Sequence, residues 1–202
     1  MNQEVPPGDM LFGSVVLVIF LIFVFAAGFL LNRFKNRRFH QAWSPLAPLL
    51  NGKITDDGGG AATSWLSGTY RGQPVRAAMI PHRNQYSGES GSYYNHFEVA
   101  LLEVPGRQNW SIEHKTPILG FGQTGWQIDT DDAALRDRLR ASGVINEIAR
   151  FGSPEIQYQA RAKTLLYSED VTPLWVPAPG RFQEELELLL LLARVNGEVN
   201  PA

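Results

Sequence analysis

The feature that most constrains this chain is an uninterrupted apolar stretch near its N-terminus, Met10–Leu31. It contains no charged residue and no proline. As an α-helix this stretch would reach about 33 Å, enough for the roughly 30 Å hydrocarbon core of a bilayer. A buried core helix rarely runs this long with so uniformly apolar a composition. The stretch therefore predicts a transmembrane helix over residues 10–32, whose backbone polar groups are all paired internally.

Charged residues flank this stretch unevenly. Glu4 and Asp9 precede it. Four basic residues follow it: Arg33, Lys35, Arg37 and Arg38. Basic residues are retained on the cytoplasmic side, so the sequence predicts a single-pass inner-membrane protein with its N-terminus outside. A cleaved signal peptide is disfavoured, because it would begin with basic residues and have a shorter apolar region. The basic segment also offers a contact for anionic lipid headgroups, although a topology signal is its simpler interpretation.

The rest of the chain is mildly acidic and contains no cysteine. Four of the 18 basic residues lie in the segment just described, whereas all but two of the 20 acidic residues follow Gln41. Nucleic acid is therefore not an expected partner, since phosphate binding requires a basic surface. The absence of cysteine excludes disulfide bonds and thiolate chemistry anywhere in the chain.

The chain divides into four segments. Residues 1–9 form a short extracytoplasmic N-terminus, 10–32 the transmembrane helix, 33–52 a basic juxtamembrane connector, and 53–202 a single cytoplasmic domain. Pro45 and Pro48 prevent a long continuous helix in the connector. Trp43 is either a membrane-interface anchor or the first core contact of the domain, and the sequence does not separate these alternatives.

Patterns typical of β-structure fill the first half of the domain. Ser64–Tyr70 and Val75–Pro81 flank a turn that contains Gly72, which predicts a hairpin. Aromatic and branched residues or regular alternation predict further strands at Tyr93–Val104 and Trp110–His114, and a second hairpin at Ile156–Gln159 and Lys163–Tyr167.

Two helices are predicted in the second half of the domain, one before and one after the second hairpin. Thr130 is the predicted N-cap of a helix that buries Leu135 and Leu139. The C-terminal segment Arg181–Arg194 predicts a second, leucine-rich helix. The expected fold class is α+β: one N-terminal transmembrane helix followed by a single cytoplasmic domain with an antiparallel sheet and two or three helices.

The C-terminal helix has more apolar residues than one buried face requires. A surface helix of a monomer needs a single apolar stripe. This helix is therefore either sandwiched in the core or presents a second face to a partner. The residues of the possible partner face are Phe182, Leu188, Leu191 and Leu192.

No recognisable chemical motif accompanies these elements. The four histidines do not occur in helical pairs or at metal-ligand spacing. Gly120–Gly125 matches the letters of a dinucleotide-binding loop, but Trp126-Gln127-Ile128 predicts a strand where that motif requires a helix. The polar loop Pro81–Ser92 is typical of an exposed hairpin loop, and it is an alternative contact surface. No catalytic, cofactor-binding or metal-ligating residue is predicted.

From Trp43 onward, the chain resembles a set of uncharacterised, membrane-anchored bacterial proteins in the order of several short motifs. They are Trp43 followed by Leu46-Ala47 and Leu49, the turn Gly68–Gly72 leading to Val75, and Trp126–Asp132 opening a helix. In related chains a glycine is expected after the threonine, where Asp131 stands here. The resemblance implies an α+β domain on a single-pass anchor and no particular activity. In layout alone, the chain is similar to the H subunit of photosynthetic reaction centres.

These observations favour a non-catalytic accessory or scaffold subunit that stabilises a multi-subunit inner-membrane complex, photosynthetic or respiratory, without a cofactor of its own. Its expected partners are other integral membrane subunits. A tethered binding or sensing module and an anchored enzyme are the alternatives. Small residues permit close helix approach and aromatic residues add bulk. The expected membrane or partner contacts, besides the four basic residues, are Phe12, Phe20, Phe23, Ala27, Gly28, Phe29 and Trp43.

Overall fold

The computed structural model describes residues 17–29, 40–56, 64–83, 93–115, 125–172 and 175–202. The chain forms two compact units, Met1–Gln41 and Ala42–Ala202. In the first unit, residues 17–29 form helix α1.

Helix α1 corrects the predicted membrane anchor. Across the described ranges, the structure holds no helix of the length and apolar character that crossing a bilayer requires. The predictions of a transmembrane helix at residues 10–32 and of a single-pass, inner-membrane location with a cytoplasmic domain are therefore wrong.

The second unit is built mainly from one eight-stranded antiparallel sheet. Its strands are β1 (Lys53–Asp56), β2 (Ser64–Tyr70), β3 (Gln73–Arg83), β4 (Tyr93–Leu101), β5 (Trp110–Lys115), β6 (Gly125–Asp129), β7 (Glu155–Gln159) and β8 (Thr164–Val171). They lie in the order β1-β2-β3-β4-β8-β7-β5-β6. The expected fold class is corrected here too, because the sheet dominates and helices are few.

The two predicted hairpins are confirmed and occupy different places in the sheet. Strands β2 and β3 are joined by Arg71 and Gly72, both at positive φ (49° and 83°), as a two-residue hairpin turn requires. The hairpin β7–β8 inserts between β4 and β5, so that β8 pairs with β4 and β7 pairs with β5. Strands adjacent in sequence are thereby separated in the sheet.

Helical elements accompany the sheet in the described part of the second unit. A 3-10 turn spans Ala47–Leu50. Helices α2 (Ala133–Ala141) and α3 (Val144–Ala149) follow β6, and α4 (Pro179–Val199) ends the chain. Asp132, not the predicted Thr130, caps α2, since its carboxylate accepts hydrogen bonds from the N–H groups of Ala134 and Leu135 (2.8 and 3.1 Å).

One face of the sheet forms the core. Alternate residues of the central strands are buried, as the two-residue period of a strand requires: Phe97, Val99, Leu101, Leu165 and Tyr167. Helix α4 packs against this face, with the Phe182 ring 6.3 Å from that of Phe97. Trp43 is fully buried and lies 5.9 Å from the same ring. Of its two alternatives, Trp43 is therefore a core contact.

Candidate functional site

The predicted contact residues of α1 form an apolar surface. Phe20, Phe23 and Phe29 are 60 to 70 % exposed. Successive residues of an α-helix point about 100° apart, and the four consecutive residues 17–20 are all apolar and exposed. Apolar side chains therefore surround this helix instead of forming a single stripe. We call this the α1 surface, defined by residues 17–29.

The small residues at the end of α1 leave space for a neighbour. Gly28 has no heavy atom within 4 Å of the position that a Cβ would occupy, and Ala27 is half-buried. Phe12 and the basic residues Arg33, Lys35, Arg37 and Arg38 lie outside the described residues, so their predicted contacts stay predictions.

The possible partner face of the C-terminal helix lies largely in the core. Phe182 and Leu192 are at most 1 % exposed and Leu188 is 4 % exposed, whereas Leu191 is half-buried. Sheet residues cover one side of α4, and helices α2 and α3 contact it as well. Burial between these elements explains the leucine excess, and the four residues do not form a partner-facing surface.

Two other predicted features are only partly described. Gly125 begins strand β6, so a strand does follow the glycine-rich segment, where a dinucleotide-binding loop requires a helix. Residues 84–92 of the polar loop lie outside the described residues. Among the residues that are described, no group of three or more His, Asp or Glu side chains is arranged to hold a metal ion.

A cluster of charged groups that was not predicted lies between β8 and α4. Arg181 Nη2 donates to both carboxylate oxygens of Glu169 (3.0 and 2.7 Å), and its Nε donates to Glu185 Oε1 (2.9 Å). The guanidinium also lies 5.3 Å from the centre of the Trp175 ring. We call Tyr167, Glu169, Arg181 and Glu185 the Arg181 cluster.

Two oxygens of the Arg181 cluster are buried without a hydrogen-bond partner in the described part of the chain: Glu185 Oε2 and the Tyr167 hydroxyl. The Glu185 side chain is fully buried. Burial raises its pKa to about 7, against the lowering effect of the hydrogen bond from Arg181. Burial also raises the pKa of Glu169 and of Tyr167. A carboxyl group that titrates near neutral pH is thus enclosed beside the core.

The spacing of Arg181 and Glu185 in the sequence is a weak indication that they form an ion pair. They are four residues apart on a predicted helix, which is the spacing of an ordinary exposed ion pair. Nothing in that spacing indicates that one partner is fully buried, because burial depends on how β8 packs against the helix.

A second polar feature is an open cleft of about 730 Å³, located where β5 begins and β6 and β7 end. Strand register places Asp129, Ser111 and Gln157 side by side across its floor. Arg161, in the β7–β8 turn, also lines the cleft. The cleft therefore holds carboxylates on the β6 side and a guanidinium beyond the β7 side.

Two buried asparagines, Asn196 in α4 and Asn200 directly after it, bond to the loop beside this cleft. Asn196 accepts a hydrogen bond from Trp110 Nε1 (2.7 Å) and donates to the carbonyl of Pro105 (2.6 Å). Asn200 accepts from the backbone N–H groups of Arg107 and Gln108 (3.1 Å each). With these bonds made, the loop that precedes β5 is held rigidly against the helix.

No protein-family model, curated protein or solved structure matches this chain. Its function is therefore inferred from its own residues.

Proposed function

We propose that this protein is a non-catalytic accessory subunit that joins a multi-protein complex through the α1 surface. The observation that carries the proposal is the exposure of large apolar side chains all round helix α1, including Phe25 at 77 %. Soluble proteins rarely expose contiguous apolar patches of this kind unless another surface covers them.

The chemistry of the α1 surface specifies its partner. Residues 17–29 contain no charged or hydrogen-bonding side chain, so the partner must offer an apolar, uncharged surface. Because the apolar side chains point in all directions, one flat contact would leave half of them in water. A groove between two or more helices of the partner subunit covers them all. The unobstructed Gly28 allows a partner backbone to come close at one end.

The proposal is tested by substituting two exposed phenylalanines. The double variant Phe20→Glu/Phe23→Glu places two charges on the surface that the partner encloses. An unpaired buried carboxylate costs several kcal/mol, so we expect stoichiometric partners to be lost. The measurement is affinity purification of the tagged full-length chain from its native cells, with partner stoichiometry from quantitative mass spectrometry.

The matched control is Phe20→Leu/Phe23→Leu, which keeps the surface apolar at the same positions. It should retain the partners at wild-type stoichiometry. Circular dichroism of both variants shows whether the fold is intact. Recovery of the wild-type chain as a lone monomer, or equal partner recovery with the glutamate variant, contradicts the proposal.

A binding module is the second candidate function, and the open cleft favours it. The β6 and β7 strands are about 10 Å apart across β5, with Asp129 on one side and Arg161 beyond the other. A cleft with opposite charges at its two ends suits a small dipolar ligand, such as a zwitterion with separated ammonium and carboxylate groups.

Amide chemical shifts test this second candidate, with glycylglycine as the probe. We expect saturable shifts at Ser111 and Gln157 that disappear in Arg161→Ala. Arg140→Ala, at an exposed position of α2, is the control and should keep them. Shifts that are absent in the wild type, or unchanged in Arg161→Ala, contradict this binding role.

A further inference from the structure

The Arg181 cluster contains more acid than base in an enclosed place. One guanidinium faces two carboxylates, and Glu185 reaches it with only one of its two oxygens. The other oxygen, Glu185 Oε2, is buried without a partner. An ionised carboxylate in this position keeps part of its charge uncompensated, which a protein interior tolerates poorly.

We propose that the Arg181 cluster is a pH-sensitive contact: one proton on Glu185 holds the first turns of helix α4 and the adjoining Trp175 against strand β8, and loss of that proton releases them. This role is separate from the α1 surface and from the open cleft.

The charged and titratable groups that face Glu185 support a contact controlled by the one proton on this carboxyl. Strand β8 contributes Tyr167 and Glu169, and helix α4 contributes Arg181 and the neighbouring carboxylate of Glu184. Aromatic rings also pack against the cluster: Phe97 lies 6.3 Å and Phe151 6.4 Å from the Tyr167 ring. Arg181 is therefore the single cation described among these groups, and Glu169 already occupies two of its N–H donors.

The Glu185 carboxyl gains or loses its proton between pH 6 and pH 8. Burial raises the pKa of Glu185 to about 7, so the carboxyl is mostly protonated at pH 6 and mostly ionised at pH 8. In a state where the helix start has opened to water, the same carboxyl would titrate near its usual value of about 4.5. Ionisation therefore favours the opened state as pH rises.

Trp175 connects the cluster to the core and is released with it. Its ring stacks beneath Arg181 and lies 5.1 Å from the ring of Phe97. When Arg181 is no longer held by Glu169 and Glu185, the cation–π contact that positions Trp175 is lost as well. The released segment would expose more of the Trp175 indole, which is half-buried in the structure.

Amide hydrogen exchange tests the contact in the full-length chain. Between pH 6 and pH 8, protection factors of the amides at residues 182–186, corrected for the intrinsic exchange rate, should fall about tenfold. In Glu185→Gln, which keeps the shape but cannot ionise, the change should be less than about twofold. Glu198→Gln, at an exposed position near the end of the same helix, should behave like the wild type.

Three results would overturn the inference. One is a wild-type protection factor that does not change between the two pH values. Another is a full pH response that persists in Glu185→Gln. The third is equal protection at residues 182–186 and at the centre of β3 at both pH values, because exchange would then report global unfolding instead of local release.

Discussion

At the start of helix α2, Thr130 and Asp132 are both suitable N-cap residues, and the structure uses Asp132. The Thr130 hydroxyl instead donates to the carbonyl of Asn109 (3.1 Å). Serine, threonine, asparagine and aspartate share the capping preference, so sequence alone predicts that a cap exists better than which residue provides it. The choice depends on the tertiary contact with Asn109.

The role of Asp132 as the N-cap of α2 can be tested by substituting Asp132 and its neighbour Asp131. Asp132→Ala removes the acceptor for the N–H groups of Ala134 and Leu135, so the free energy of unfolding should fall by about 1 kcal/mol. Asp131→Ala, at an exposed position outside the helix, should change it by less than about 0.5 kcal/mol. Urea unfolding measures both. Equal effects of the two variants would rule out Asp132 as the cap.

Substitution of Asn196 should lower the free energy of unfolding more than substitution of Asp132. Asn196 is fully buried, and both the oxygen and the nitrogen of its side-chain amide are hydrogen-bonded. Asn196→Ala leaves Trp110 Nε1 and the Pro105 carbonyl without partners, and we expect a loss of about 3 kcal/mol in unfolding free energy. Asn146→Ala, an exposed asparagine of helix α3, is the control and should be near neutral. A loss below about 1 kcal/mol for Asn196→Ala would show that water replaces these bonds.

At the scale of elements, the sequence predicts the positions of most strands and helices of the second unit. It does not predict strand β1 or the environment of each element. The segment predicted as a helix at Arg181–Arg194 lies within α4, Pro179–Val199. Its leucines left two alternatives open, since a helix covered on several sides and a helix with a partner face have the same composition. Only the contacts with the sheet, α2 and α3 distinguish them.

The close packing of β2 on the 3-10 turn depends on two glycines. A Cβ on Gly68 would lie 2.3 Å from the carbonyl oxygen of Leu50 and 2.7 Å from the Cα of Gly52. Both contacts are with backbone, so Gly68→Ala must displace one element, and we expect a loss of about 2 kcal/mol. Gly197→Ala, in α4 with open space around it, should instead stabilise by up to about 1 kcal/mol. Thermal and urea unfolding measure both variants. If Gly68→Ala leaves the free energy of unfolding unchanged, β2 and the 3-10 turn are not in contact.

At the scale of the whole molecule, the sequence predicted hairpins but not the order of the sheet. The turn signals at Arg71–Gly72 are local, so the β2–β3 pairing could be predicted. The insertion of β7–β8 between β4 and β5 joins segments that are more than 40 residues apart, and no local signal records such pairing. The same limit applies to the Arg181 cluster, whose members come from a strand and a helix that only the fold brings together. The membrane prediction is a separate case: it depends on apolar composition alone, and the described ranges hold no helix long and apolar enough to cross a bilayer.

The stability of the second unit should fall as pH rises from about 5 to 8 because of Glu185. Its pKa is raised to about 7 in the folded state, against about 4.5 when unfolded, so the folded state binds more protons between these values. The associated stability is present below about pH 4.5 and is lost as pH rises through 7. The difference in unfolding free energy between the wild type and Glu185→Gln should therefore shift by about 2 to 3 kcal/mol between pH 5 and pH 8, in favour of the variant at the higher pH. Urea unfolding at each pH measures this, with the exposed Glu198→Gln on the same helix as the control that leaves the pH dependence unchanged. If the difference between wild type and Glu185→Gln is the same at both pH values, Glu185 does not titrate in this range, and both the buried charge imbalance and the pH-sensitive contact are wrong.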